Sequence, residues 1–137
     1  MSRSANQRWL QRLDSFRTAL AQLTQACERD QYDNLERAGL IKTFEFCCDL
    51  SWKVLKDLLY YDGHDVKVPR AVLRKSFEVA YIDENDCETL LNGLETRNLL
   101  SHAYASEIAL EAEKLIKERY YPVLLRLFQS LEARRMP

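Results

Sequence analysis

Apolar positions recur at helical spacing along almost the whole chain. Trp9, Leu13, Phe16, Leu20, Leu23 and Cys27 follow one another at alternating intervals of four and three residues, which puts them on one helix face and predicts the packing seam of a bundle. A second helix is predicted over 34–61, with Asn34 as N-cap and Ile41, Phe44, Cys48, Trp52, Leu55 and Leu59 facing inward. A further row, Leu40, Cys47, Val54 and Leu58, widens that face, so this helix is expected at the centre with neighbours on two sides. Asp62-Gly63 ends it, because glycine accepts the left-handed conformation that closes helices.

Pro69 suits the first turn of a third helix, where its missing N–H would be unpaired anyway; the spacing predicts that helix over 69–81, carrying Arg70, Arg74 and Lys75. Asp83 as cap, with Glu84 and Asp86 in the first turn, opens a fourth helix that places Cys87, Leu91 and Leu94 on one face. The last helix is predicted from near Ser106 to about Arg134 through Ile108, Ala112, Leu115, Val123, Leu127 and Leu131. Pro122 lies inside it and should kink it by removing a backbone donor. With no repeat, linker or credible strand pairing, residues 1–137 read as a single all-α domain, an antiparallel bundle of about five helices.

Composition sharpens this picture. With 47% apolar residues and only 3 Gly and 3 Pro in 137 residues, the chain can bury about 65–70% of its unfolded surface, so a core forms without disulfides, metal or cofactor. A net charge of −1 lacks the strongly basic signature of a dedicated nucleic-acid module, and any RNA contact must be local. No uncharged run approaches a membrane span and the amino terminus lacks a signal peptide's apolar stretch, so a soluble, cytoplasmic protein is expected. Cys27, Cys47, Cys48 and Cys87 form no C-x-x-C pair and are expected as buried, reduced core thiols.

One segment interrupts the pattern. The stripe Cys87, Leu91, Leu94 runs directly into Arg97, Asn98 and His102, so an inward face is expected to turn polar. Asn98 and His102 continue the stripe in steps of four, whereas Arg97 and His102, five apart, converge only if the helix bends or ends between them. Two readings stay open. Arg97 pairs with an acid such as Glu95 or Asp86 while Asn98 and His102 cap the helix end. Alternatively, Arg97 offers a planar cationic fork to a phosphate and His102 a proton-transferring group that titrates near neutrality.

The string Arg97-Asn98-Leu99-Leu100-Ser101-His102-Ala103-Tyr104 resembles the R-N-x-x-x-H-x-Y signature of the HEPN superfamily, in the HepT-like branch that includes nucleotidyltransferase substrate-binding proteins. Phe44-Glu45-Phe46 with Leu50-Ser51-Trp52-Lys53 and Leu55-Lys56 is similar to that family's second helix, and Pro69-Arg70 to the start of its third. The resemblance covers most of the chain. It implies an all-α bundle that dimerises, with the motif in a cleft at or near the dimer interface. It further implies that Arg97 and His102 act as the catalytic pair of a metal-independent endoribonuclease leaving 2′,3′-cyclic phosphate ends, with Asn98 orienting the pair or the phosphate. Tyr104 matches the tyrosine that a partner minimal nucleotidyltransferase antitoxin modifies with AMP.

The alternative within the same family is a non-catalytic, nucleotide-binding subunit of a two-component nucleotidyltransferase, with Arg97 and His102 holding a phosphate. Because Glu95 and Glu107 flank the motif, an RNA cleft would have to draw on Lys53, Arg70, Arg74 or Lys75, or gain charge by dimerisation. Of the other polar groups, Asp62-Gly63-His64-Asp65 reads as a capping turn rather than a metal site, and adjacent Ser101 and His102 cannot form a triad. Trp9, Phe16, Phe44 and Trp52 read as core rather than base-stacking platforms. Lys53 and Lys56 read as solvated flanks of the apolar face or as ligand contacts, and Arg126, Arg134 and Arg135 as charges offsetting a helix dipole.

Overall fold

The computed structural model describes residues 3–100 and 106–135. Six α-helices follow in order: α1 (Arg3–Cys27), α2 (Asn34–Tyr61), α3 (Pro69–Glu78), α4 (Glu84–Leu100), α5 (Ser106–Leu115) and α6 (Tyr121–Arg135). A π-helical turn, Ile116–Tyr120, joins the last two without a break. The described residues therefore form five helical rods and no strand, the all-α bundle that the periodicity predicts. No helix among them is long and apolar enough to cross a membrane.

The predicted seam of α1 is the core: Trp9, Leu13, Phe16, Leu20 and Leu23 are buried, and only Cys27, at the helix end, is half-buried. α2 is central and packs against every other helix. Contact from two sides buries both predicted rows, Phe44, Leu55 and Leu59 of the first as deeply as Leu40, Cys47 and Val54 of the second, while Ile41 and Trp52 lie half-buried at the margins. Polar bonds fix the directions of the rods. Thr24 bonds the Tyr121 hydroxyl at 2.7 Å and Arg135 reaches Asp14 at 2.7 Å, tying the two ends of α6 to the last turn and the middle of α1 and setting the helices antiparallel. Thr96 bonds the Tyr120 hydroxyl at 2.8 Å and Arg126 grips Asp86 at 2.7 and 3.1 Å, which sets α4 antiparallel to α6.

Helix ends account for most departures from expectation. The N-cap of α2 is Asp33, not Asn34: its carboxylate accepts the Glu36 N–H at 2.8 Å while the Glu36 carboxylate accepts the Asp33 N–H at 2.9 Å. This reciprocal capping box satisfies two orphan donors, which Asn34 would not. Gly63, at φ 98°, closes α2 as predicted, with the Tyr60 and Leu59 carbonyls accepting from Gly63 and His64. α3 ends at Glu78, short of the expected Tyr81, because the same closure recurs there without a glycine: Ala80 takes φ 66° and Tyr81 N–H returns to the Ser76 carbonyl at 2.8 Å. Asp83 caps α4 as expected, its Oδ1 accepting the Asp86 N–H at 2.7 Å.

Pro122 does not act through a simple kink. In an α-helix its ring would press on the carbonyl four residues earlier. Here the preceding turn is one residue wider, with Tyr121 N–H bonded to the Ile116 carbonyl, and the obstruction is bypassed. That turn carries Tyr120 inward, where its ring stacks on Phe44 at a centroid separation of 5.4 Å and covers Gly93 of α4.

Candidate functional site

Arg97 lies in the last turn of α4 and faces α2. Its Nε donates to Asp49 Oδ1 and its Nη2 to Asp49 Oδ2, both at 3.0 Å. Such a fork-to-carboxylate match fixes the plane of the guanidinium as well as its position. Both side chains are half-buried, with exposures of 27% and 31%, so the pair is partly shielded from water. The hydrogen bond to Asp49 is the main reason the guanidinium pKa is raised, against the opposing effect of burial; Glu45, one turn earlier on α2, adds to the rise.

The expectation that Arg97 pairs with an acid holds, but with neither acid proposed. Glu95 is two residues from Arg97, about 200° around an α-helix, and bonds Arg70 of α3 at 3.0 Å instead. Asp86 belongs to Arg126. Asp49 was missed, although the sequence carries a signal for it: a lone acid between Phe46-Cys47-Cys48 and Leu50-Ser51-Trp52 must meet a cation once its helix is packed.

The other expected cations each have a setting of their own. Arg70 is held by Glu95, Arg74 is exposed near Cys87, and Lys75 reaches Glu78 within α3 at 3.8 Å. Lys53, one turn along α2 from Asp49, is the one of the four on Asp49's face of that helix; its ammonium sits 5.9 Å from the Trp52 ring centroid. Asn98 is exposed rather than continuing the inward stripe. Ser101, His102 and Tyr104 lie outside the described residues.

Other assignments resolve into structure. Asp62 accepts a hydrogen bond from the Tyr81 hydroxyl, Arg134 lies 4.5 Å from the Tyr81 ring centroid, and Arg135 bonds Glu132 and Asp14. Specific side-chain partners, and not only a helix dipole, thus hold Arg126, Arg134 and Arg135. No cluster of His, Cys, Asp and Glu suited to a metal occurs among the described residues. Burial pushes the Cys47 and Cys48 thiols up to about 12 and the Cys27 thiol to about 11, the behaviour of inert thiols.

Comparison with known proteins bears on this geometry. The family model described as "Nucleotidyltransferase substrate binding protein like" matches residues 11–133. No curated protein matches the chain. Among solved structures, a Thermus thermophilus protein is similar at 24% identity and a TM-score of 0.76, covering 89% of this chain and 99% of that one. A mutant of the toxin–antitoxin MntA–HpeT is similar at 12% identity and a TM-score of 0.76, over 91% of this chain and 97% of the other. The tri-AMPylated Shewanella oneidensis HEPN toxin in complex with MNT antitoxin gives 12% identity and a TM-score of 0.74, over 91% and 96%. At these identities the likeness establishes the fold.

Proposed function

The chain belongs to the nucleotidyltransferase substrate-binding-protein-like family, and from that premise we propose that it is the toxin of a toxin–antitoxin pair, a metal-independent endoribonuclease controlled by a minimal nucleotidyltransferase. The observation that carries this reading is the Asp49 clamp on Arg97. A structural ion pair needs only proximity; two bonds of 3.0 Å hold the fork at a fixed angle where the R-N-x-x-x-H-x-Y string begins.

In the proposed reaction the RNA 2′-hydroxyl gives its proton to His102 as its oxygen bonds to the adjacent phosphorus. The bond from phosphorus to the 5′-oxygen breaks, that oxygen takes a proton from water, whose hydroxide is neutralised by the proton His102 then releases, and a 2′,3′-cyclic phosphate remains. Arg97 meets the negative charge that grows on the phosphoryl oxygens, and Asn98 orients the phosphate. The nucleotidyltransferase silences the toxin by placing AMP on Tyr104, two residues from His102, where the added phosphate competes for Arg97. A homodimer fits the same reading: Phe46, one turn before Asp49, and Leu99, two residues after Arg97, are exposed by 53% and 66%, leaving apolar surface for a second copy.

The second reading is a non-catalytic nucleotide-binding subunit of the nucleotidyltransferase. It is favoured by the charge compensation that Asp49 already gives Arg97, which weakens the attraction for an RNA phosphate. Induction of wild type, Arg97→Ala, His102→Ala and Tyr104→Phe in cells separates the two. Growth arrest with cyclic-phosphate ends in wild type alone among the first three supports the toxin, and Tyr104→Phe should then arrest growth even with the nucleotidyltransferase present. Intact RNA and normal growth in wild type would leave the binding subunit as the better account.

A further inference from the structure

Where the amino-terminal part of α1 meets the carboxyl-terminal part of α2, Arg8, Lys56, Tyr60 and Lys67 line a cleft of about 290 Å³. Most arginines near the helix contacts are held by carboxylates: Arg12, Arg37, Arg70, Arg97, Arg126 and Arg135 all make ion pairs. Among the described residues Arg8, Lys56 and Lys67 make none, although they open onto one cavity. Two acids share it. Asp57 is buried and taken by Arg12 at 3.1 Å, so Asp65 alone opposes three cations. Tyr60 adds an aromatic ring that is 51% exposed.

The cleft is aligned with Arg97. Asp49, Lys53, Lys56 and Tyr60 are spaced four, three and four along α2, one continuous face on which Lys56 stands two turns, about 10 Å, beyond the Asp49 clamp. Cations that track a backbone, with an aromatic ring to receive a base, are the means by which proteins hold single-stranded nucleic acid without reading its sequence. Lone surface lysines would not suggest this; three unpaired cations and an open tyrosine converging on one concavity, in line with the motif arginine, do.

We propose that this cleft is a second subsite for single-stranded RNA, in which Arg8, Lys56 and Lys67 hold backbone phosphates flanking the bond at Arg97 and Tyr60 stacks on a base. The inference rests on the ribonuclease reading and deepens it. It explains how a chain of net charge −1 binds a polyanion: the positive charge is local and lies beside the site rather than within it.

The test is fluorescence anisotropy with a labelled, short oligouridylate and full-length protein at about 50 and 200 mM salt, run beside cleavage of the same RNA. The variants are Arg8→Ala/Lys56→Ala/Lys67→Ala, Tyr60→Ala and the conservative Lys56→Arg, each checked for an unchanged melting curve. The triple variant should bind at least about tenfold more weakly, with a salt slope smaller by about 2. Tyr60→Ala should weaken binding with no change in slope, and Lys56→Arg should retain binding. In cleavage the triple variant should raise KM and leave kcat near wild type. Binding equal to wild type overturns the subsite whether or not RNA is cut. Binding lost in the triple variant while wild type cuts nothing upholds the subsite and fails the ribonuclease reading. A triple variant that binds RNA normally but no longer captures the nucleotidyltransferase makes the cleft a protein-docking face and overturns the proposal.

Discussion

Asp49 receives both the Nε and the Nη2 of Arg97 at 3.0 Å, joining the middle of α2 to the last turn of α4. The acid lies outside the motif it serves. It holds the guanidinium in one plane, so in the proposed reaction it is a positioning residue, and its removal should loosen Arg97 without discharging it.

If the chain is the proposed ribonuclease, Asp49→Ala is expected to lower kcat for RNA cleavage by about tenfold or more, with Asp49→Asn intermediate because the amide keeps one acceptor oxygen. The stability cost should stay near 1 kcal/mol, since the pair is partly solvated. Nitrogen NMR of Arg97 Nε separates positioning from folding: a distinct, slowly exchanging Nε–H in wild type should merge with the solvent-averaged arginines in Asp49→Ala. An unchanged Arg97 signal beside lost activity would sink the positioning role.

Two backbone positions predict gains in stability. Ala80 occupies the left-handed region at φ 66°, where a Cβ costs about 1–2 kcal/mol. Ala80→Gly relieves that strain, and the greater freedom of the unfolded glycine offsets about 0.5–1 kcal/mol of the relief, for a net gain of about 0.5–1 kcal/mol. Gly39 lies exposed within α2 with nothing within 4 Å of an added Cβ, so Gly39→Ala should gain about 1 kcal/mol. Each should raise Tm by about 2–5 °C in calorimetry, and a fall in either would contradict the backbone assignment.

The π turn makes a third prediction through Tyr120. Its ring lies between Phe44 and Gly93 and its hydroxyl bonds Thr96 at 2.8 Å. Tyr120→Phe should cost about 1 kcal/mol for the bond and Tyr120→Ala about 3–5 kcal/mol for the cavity, both read from urea midpoints. A Cβ at Gly93 would meet the Tyr120 ring at 3.5 Å, an ordinary contact, so Gly93→Ala should be tolerated.

The same residues show what a sequence can and cannot reveal. The seam of α1 and the span of α2 were legible because periodic burial leaves a repeating signal over many turns. Asp33 and Glu36 were also visible as a D-x-x-E capping pair, but Asn34 is an equally good cap former one residue later, and only the bonds choose. The closure at Ala80 had no signal, because alanine ordinarily prolongs a helix. Pro122 announced a break without saying that a wider turn would absorb it. Asp49 was conspicuous as an acid in an apolar run, yet its partner depends on how α4 crosses α2. The cleft was illegible for the same reason: Arg8 and Lys67 meet Lys56 only through the packing of α1, α2 and the segment after it. The string from Arg97 to Tyr104, in contrast, is visible without any packing, because it is a spacing of residue types along the chain.

Alkaline pH supplies the last prediction. Cys47 and Cys48 are buried, and desolvation, which penalises the thiolate, pushes both thiols from 9.0 up to about 12. Cys48 is raised further by Asp49 and Glu45 and eased slightly by Arg97, whereas Cys47 is raised further by the neighbouring thiols of Cys48 and Cys27. Above about pH 9 the unfolded chain releases protons that the folded chain retains. Unfolding then becomes more favourable as pH rises, so the contribution of these thiols is complete below pH 9 and is lost toward 12. Tyr81, raised by burial and by its hydrogen bond to Asp62, works in the same direction. The urea midpoint should be flat with respect to these groups up to about pH 8.5 and fall steeply above it. Cys47→Ala/Cys48→Ala should start lower, for the packing it removes, but decline less steeply. Iodoacetamide at neutral pH should leave Cys47, Cys48 and Cys87 unlabelled in the folded protein, with Cys27, half-buried beside Lys117, the first to react as pH is raised. Rapid labelling of Cys47 or Cys48 at neutral pH would show that α2 is not the buried centre of the bundle.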